Sequence, residues 1–337
     1  MNLRNDKKLL PLQTANLLRI IFELLVLIHH LYSTQTPTGS ALSSIIGPAA
    51  VAGFLLLSGY GVAISFMKSG DSYLSQLLKK RIPSTYLQIL TVDILYFTLY
   101  YLTGNKFDTA IGAISSILYL PVFKGYVALS HWVYFLADLL IYYVIFFILM
   151  KLLKKKKNRL ELTAKINLII CAVIIIVLTI INSTTGSSRY LRGCWLFPCG
   201  ILLACYEKQI VKFLNDYKFV VLGVLAFLFV TLSATLYDVQ IAREYVICAI
   251  STFLAITITF TFNVEPKAKF VSFLSDHVLF VYLSHEYFFK LFGHFFNSTW
   301  SSNAIMIITL IFTLAFANYC YNTKLMRKQA KQQAKSK

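Results

Sequence analysis

Long apolar stretches divide this sequence, and they limit its fold more than any other feature. A helix that crosses a bilayer needs about 20 predominantly apolar residues. Ten stretches approach that length: residues 15–33, 44–67, 84–103, 131–150, 166–182, 194–207, 218–236, 245–262, 273–293 and 303–321. The sequence therefore predicts an all-α fold, a polytopic membrane helix bundle with about ten transmembrane helices.

The composition agrees with a chain that lies mostly in lipid. Apolar residues make up 58% of it and charged residues 14%, against about 45–50% and 25% in soluble domains. This excludes a soluble globular, disordered or fibrous protein. A further apolar piece, residues 111–123, is interrupted by Pro121. We expect it to be interfacial or re-entrant on the outer side.

Basic residues predict the orientation of the bundle. With the N-terminus in the cytoplasm, 25 of the 32 Lys and Arg residues fall in inner segments, as the positive-inside rule requires. We therefore expect a multi-pass protein of the plasma membrane with both termini cytoplasmic. Residues 1–321 would form the transmembrane domain and 322–337 a basic cytoplasmic tail. The basic run 154–157 then predicts a loop held by anionic headgroups of the lipid bilayer, not a nucleic-acid site.

The six cysteines give no sign of a metal centre. They form no C-x-x-C pair and lie in or beside apolar stretches, where cysteine behaves as a small hydrophobic residue. We expect neither a disulfide framework nor a bound metal.

Ionisable residues within the first apolar stretch are candidates for function, because a charge at membrane depth costs at least about 2.5–3.5 kcal/mol. Arg19 and His30 are eleven residues apart and return to nearly the same helix face. Glu23 lies close to that stripe and is predicted to pair with Arg19, whereas His29 points about 100° away. Alternatively, Arg19 extends to the inner headgroups and His30 satisfies a backbone carbonyl.

Two later stretches carry similar groups. His131, Tyr134 and Asp138 follow i, i+3, i+7 spacing, and Tyr282 and His285 are i, i+3 neighbours. Each set shares a helix face. An interfacial belt satisfied by water is the alternative for the first set, and a structural pair is the alternative for the second.

Small residues recur through 47–61. Such residues allow close helix approach, so packing is the first interpretation. The pair Ser58 and Gly59 could instead open the helix for a ligand.

The order of these motifs resembles that of the acyltransferase-3 family, multi-pass membrane O-acyltransferases. The resemblance covers nearly the whole chain and rests on five pieces taken together: Arg19-x10-His30, Phe54-Leu-Leu-Leu-Ser58-Gly59-Tyr60, Leu77-Leu-Lys79-Lys80-Arg81-Ile82-Pro83, His131-Trp132-Val-Tyr134-Phe135-Leu136 and Tyr282-Leu-Ser-His285.

The resemblance implies a function. Members of the family acylate, usually acetylate, hydroxyls of bacterial surface polysaccharides or glycolipids, with cytoplasmic acyl-CoA as the donor substrate and no bound cofactor. It implies a catalytic set of His30, Glu23 and Arg19, with His30 as a base or an acyl carrier. A second arginine is common in the family where this sequence has Ser84, so Lys79 or Lys80 is a candidate to replace it.

The implied substrate sites complete the assignment. The donor site consists of Arg19, Lys79, Lys80, Arg81, Ser58 and Gly59, and the acceptor site of His131, Tyr134, Asp138, Tyr282 and His285. The expected partners are acyl-CoA, the polysaccharide or glycolipid acceptor and the bilayer, and a homo-oligomer stays open. A polysaccharide exporter or polymerase is the main alternative, and an ion-coupled transporter is a weaker one.

Overall fold

The computed structural model describes residues 8–33, 39–102, 134–185, 193–236, 239, 242–266, 269–296 and 302–336. Every regular element in these ranges is helical, so the all-α prediction is confirmed for them. The helices are α1 (Leu12–Ser33), α2 (Gly39–Gln76), α3 (Ile82–Leu102), α4 (Tyr134–Leu152), α5 (Arg159–Thr185), α6 (Leu196–Cys205), α7 (Glu207–Thr235), α8 (Cys248–Thr261), α9 (Lys269–Phe296) and α10 (Ser302–Ser336), with π-helical segments at Leu77–Arg81 and Ala242–Ile247.

Several of these helices suit a membrane. Among the described residues, four stretches are long and apolar enough to cross one: Leu12–His30, Ile45–Gln88, Arg159–Val177 and Glu207–Thr235. The stretch Glu207–Thr235 has none of its most apolar residues buried inside the protein. Most of its phenylalanines and valines are more than half exposed, as lipid contact requires: Phe213, Phe219, Val220, Val224, Phe227 and Val230.

Helix α6 differs from the spanning helix predicted over 194–207. It has ten residues, a length of about 15 Å, whereas the hydrocarbon layer is about 30 Å thick. Hydropathy detected the apolar composition but not the interruption at Tyr206, after which α7 begins at once. Helix α6 is a short buried helix, not a full span.

Helix α2 is the central element, and glycines set how closely its neighbours approach. A Cβ on Gly59 would overlap the backbone carbonyl oxygen of Phe197 in α6, and one on Gly200 would overlap that of Leu56. A Cβ on Gly53 would overlap the ring of Phe22 in α1. The small residues of α2 are therefore used for packing against α1 and α6.

The basic segments are more helical than the sequence suggested. Helix α2 changes direction at Gly70, where φ is 55° and ψ is −137°, and continues to the π-helical segment Leu77–Arg81. Residues of the predicted tail 322–337 continue α10 as far as Ser336. By contrast, residues 154–157 lie in the turn between α4 and α5 with exposed side chains, which agrees with the predicted loop.

Candidate active site

A buried carboxylate and imidazole meet where α1 packs against α9. Oε1 of Glu23 lies 3.9 Å from Nδ1 of His285. The two residues are 4% and 3% exposed, so both have been removed from solvent and lipid headgroups. A carboxyl group and an imidazole at this depth are expensive unless they interact. Their juxtaposition is the strongest single feature of the site.

The hydrogen bonds of this pair are incomplete. Nδ1 of His285 lies 3.1 Å from the carbonyl oxygen of Val281, and because a carbonyl only accepts, Nδ1 carries the proton and donates it. Nε2 of His285 and both carboxyl oxygens of Glu23 are buried and have no hydrogen-bond partner among the described residues. Buried polar atoms of a purely structural pair are normally satisfied. Three unsatisfied atoms within one pair leave room for hydrogen bonds to a ligand.

A second imidazole lies beside the first. The ring centroids of His30 and His285 are 5.1 Å apart, and those of His29 and His30 are 4.9 Å apart. His29 turns toward α2, where a Cβ on Gly47 would come within 2.5 Å of its ring. His30 of the predicted stripe thus lies in the cluster with Glu23 and His285, and His29 packs against glycine.

The predicted pairing of Glu23 with Arg19 is wrong. Nη1 of Arg19 instead donates to Oδ1 of Asn16, at 3.4 Å, one turn toward the N-terminus. Side chains on a helix lean toward its N-terminus, and the long Arg19 side chain follows that direction away from Glu23. Four-residue spacing placed the two on one face but could not show that α9 provides the partner of Glu23.

Two guanidinium groups form a second centre. Arg19 lies within electrostatic range of Arg81, and both are half-buried. Nη1 of Arg81 donates to the hydroxyl of Tyr73, at 3.0 Å, and the guanidinium lies 4.8 Å from the ring centroid of Tyr143. Among the described residues, no carboxylate forms an ion pair with either arginine. Asp276 lies within electrostatic range of Arg19 but not at ion-pair distance, so the two cations are suited to an anion such as phosphate.

The two lysines before Arg81 have exposed side chains. Lys79 and Lys80 lie with Arg81 on the π-helical segment, and π-helical turns are frequent at functional sites. Ser58 is partly buried, and Gly59 is occupied by the contact with α6. The need for glycine at position 59 is thus explained by packing.

An aromatic wall adjoins the imidazoles. Tyr282 lies 6.0 Å from His285, 5.6 Å from Phe135 and 6.2 Å from Phe54, measured between ring centroids. Phe54 in turn lies 5.8 Å from Phe22. The wall therefore joins α1, α2, α4 and α9 around one end of the histidine cluster.

The remaining acceptor candidates lie on or before α4. Tyr134 is its first residue. Asp138 is buried, 5% exposed, and interacts electrostatically with Tyr142 one turn later. His131 and the segment 111–123 lie outside the described residues. The structure thus brings His285 beside His30, with Tyr282 next to His285. It places Asp138 on the helix that supplies Phe135 to the wall.

A family assignment follows from the order of these groups along the chain. The family model described as "Acyltransferase domain" of the acyltransferase-3 type matches residues 13–321. The chain belongs to the acyltransferase-3 family. It is therefore an acyltransferase and a membrane protein, and the match includes both the imidazole cluster and the arginine pair. No curated protein matches the acyltransferase, and no solved structure does.

Sequence reasoning missed three residues that support this acyltransferase site. Tyr73 and Tyr143 position Arg81, and Phe135 contacts Tyr282. None has a distinctive spacing relative to the residue it contacts, since each contact joins different elements or a helix to the π-helical segment. Only the proximity of tyrosine to the basic segment, visible in Tyr73, was available as a signal.

Proposed function

We propose that this acyltransferase transfers an acyl group, most simply acetyl, from cytoplasmic acyl-CoA to a hydroxyl of a bacterial cell-surface polysaccharide or its lipid-linked precursor. The observation that carries the proposal is the group formed by the buried Glu23 and His285 with the half-buried His30. It is separated along α1 from the arginine pair by the eleven-residue step from Arg19 to His30, about 16 Å.

The arginine pair supports acyl-CoA as the donor. CoA carries phosphate groups, and planar guanidinium groups bind phosphate through paired hydrogen bonds. Arg81 is already held by Tyr73 and Tyr143, so little ordering remains when an anion binds. Lys79 and Lys80 provide exposed charge on the same segment. The positive-inside distribution of the chain puts this segment on the cytoplasmic side, where acyl-CoA is found.

The imidazole cluster supports acyl transfer. The reaction needs a base for the acceptor hydroxyl and a positioned group beside the acyl carbonyl. The sequence suggested His30 alone as base or acyl carrier, whereas the structure offers two imidazoles 5.1 Å apart. Burial excludes water, which would otherwise hydrolyse the thioester. The aromatic wall with Tyr282 is a surface on which a sugar ring can stack.

The proposed location is the plasma membrane, with both termini cytoplasmic. This places the donor and acceptor at opposite ends of α1. The acyl group would then pass through part of the bilayer within the helix bundle. A bound cofactor is not needed, because acyl-CoA already carries an activated acyl group.

The test compares O-acetyl signals of surface polysaccharide by proton NMR in cells with the wild-type gene, a deletion and His30→Ala. His294→Ala is the matched control, since His294 lies on α9 with an exposed side chain. We expect the deletion and His30→Ala to remove an acetyl resonance, with polymer amount unchanged, and His294→Ala to keep it. Loss of the polymer itself with acetylation intact would instead indicate an exporter or polymerase.

A further inference from the structure

Two histidines of α9 provide an internal comparison. His277 and His285 are 2% and 3% exposed. In each, Nδ1 lies near the carbonyl oxygen four residues earlier, Phe273 at 2.6 Å and Val281 at 3.1 Å. In each, Nε2 is buried without a hydrogen-bond partner. Their local bonding is therefore the same.

A carboxyl group distinguishes them. Glu23 of α1 lies 3.9 Å from Nδ1 of His285. His277 lies instead beside aromatic rings, with Phe273 at 4.2 Å and Tyr321 at 4.5 Å between ring centroids. A carboxylate stabilises an imidazole chiefly when the imidazole becomes positively charged. Of these two histidines, only His285 has a carboxyl group beside it in the described part of the chain, and that group can stabilise a proton transferred to the ring.

We propose that Glu23 positions and charge-stabilises His285 as the general base that takes the proton of the acceptor hydroxyl. This inference rests on the proposed acyltransferase function and assigns the base within its site. His285 becomes a catalytic residue and Glu23 a positioning residue. In this arrangement His30, whose ring centroid is 5.1 Å from that of His285, lies beside the acyl carbonyl.

The orientation of the His285 ring determines the step. Nδ1 donates to Val281, so the basic lone pair is on Nε2. Nε2 takes the hydroxyl proton while the hydroxyl oxygen attacks the thioester carbonyl carbon. The new ester C–O bond forms, the C–S bond breaks, and the imidazolium returns the proton to the CoA thiolate. Acceptor and acyl-CoA thus give ester and free CoA, and His285 is regenerated.

The incomplete bonding of Glu23 agrees with this role. Neither of its oxygens accepts a hydrogen bond in the described part of the chain, so no fixed donor occupies the carboxyl group. A carboxylate in that condition interacts strongly with a positive charge that forms close by, because the local dielectric is low. A group serving only to hold α1 against α9 would gain more from a direct hydrogen bond.

The experiment uses membrane vesicles of the deletion strain that carry each full-length variant. The vesicles supply the acceptor, and radiolabelled acetyl-CoA is the donor. Label in the polymer fraction gives kcat and KM. We expect Glu23→Gln to lower kcat about 10²-fold or more, the range of general base catalysis, with KM for acetyl-CoA within twofold of wild type. Glu23→Asp should retain more activity than Glu23→Gln because it keeps the charge.

A double-mutant cycle separates this role from a structural one. If the two residues act as a unit, Glu23→Gln combined with His285→Gln is no slower than His285→Gln alone. His277→Gln, the matched control, should leave kcat within about twofold of wild type. Thermal unfolding in detergent shows whether each variant is folded. If Glu23→Gln does not fold, Glu23→Asp and His285→Gln alone carry the comparison.

The outcomes separate this inference from the proposed function. Wild-type vesicles that transfer no label to polymer would reject the function itself. A different result would reject only the base assignment. In that result the wild type is active and His30→Ala is inactive, but Glu23→Gln or His285→Gln keeps half of the wild-type kcat or more. Losses that multiply in the double variant would also reject it.

Discussion

Gly59 of α2 lies directly against the backbone carbonyl of Phe197 in α6, without room for a Cβ between them. Gly61, two residues later, has nothing within 4 Å of the position a Cβ would take. One helix therefore contains a glycine that packing requires and another that it does not.

Replacement of these glycines should have opposite effects. Gly59→Ala forces apart two backbones, which cannot adjust as side chains do, and we expect the free energy of unfolding to fall by about 1–3 kcal/mol or more. Gly61→Ala should be neutral or stabilising by up to about 1 kcal/mol, since alanine favours helix. Thermal unfolding in detergent measures both. Equal effects of the two variants would contradict the α2–α6 contact.

Arg81 should determine the affinity for the donor. Arg81→Gln removes a cation that Tyr73 and Tyr143 hold in place. We expect KM for acetyl-CoA to rise about tenfold or more, the effect of losing a charged hydrogen bond. Arg81→Lys should also raise KM, because an ammonium group lacks the planar fork.

Lys68→Gln is the control for general surface charge. Lys68 is exposed on α2 and does not belong to the arginine pair. The KM of Lys68→Gln for acetyl-CoA should therefore match that of wild type. A KM for Arg81→Gln no higher than that of Lys68→Gln would show that the donor binds elsewhere.

Glu207 joins the N-terminal segment to the bundle. Its Oε1 accepts from the hydroxyl of Tyr60, at 2.6 Å, and from the backbone N–H of Leu9, at 2.8 Å. Tyr60→Phe should lower the free energy of unfolding by about 1.5–3 kcal/mol, the usual range for a hydrogen bond to a charged group. The rate per folded molecule should be unchanged.

Tyr217→Phe is the matched control for that hydroxyl. Tyr217 is 53% exposed on α7. The unfolding midpoint of Tyr217→Phe should therefore equal that of wild type. A midpoint for Tyr60→Phe equal to that of Tyr217→Phe would contradict the anchoring role of Glu207.

Sequence periodicity predicted single helices better than their contacts. The stretch 15–33 corresponds to α1, Leu12–Ser33, so the helix that carries Arg19, Glu23 and His30 was predicted from the sequence. The partner of Glu23 was not predictable, because periodicity defines a helix face but not the helix that covers it. The 260 or so residues between Glu23 and His285 contain no local signal of their contact.

Hydropathy had a different shortcoming. It identified the apolar residues of α6 but overestimated the length of the helix. The predicted stretch 194–207 continues past Tyr206, although α6 ends before Tyr206. Only packing against the glycines of α2 distinguishes a short buried helix from a lipid-facing one. The small residues at 47–61 were predicted to form a packing surface, and Gly53 and Gly59 do so.

The backbone of Gly70 changes the direction of α2 before the basic segment Leu77–Arg81. Its φ of 55° is unfavourable for residues with a side chain, and a Cβ there would meet nothing within 4 Å. Any substitution at this point is thus disfavoured by backbone torsion alone. The direction of the chain that leads to Arg81 therefore depends on the backbone torsion of Gly70, which makes no side-chain contact of its own.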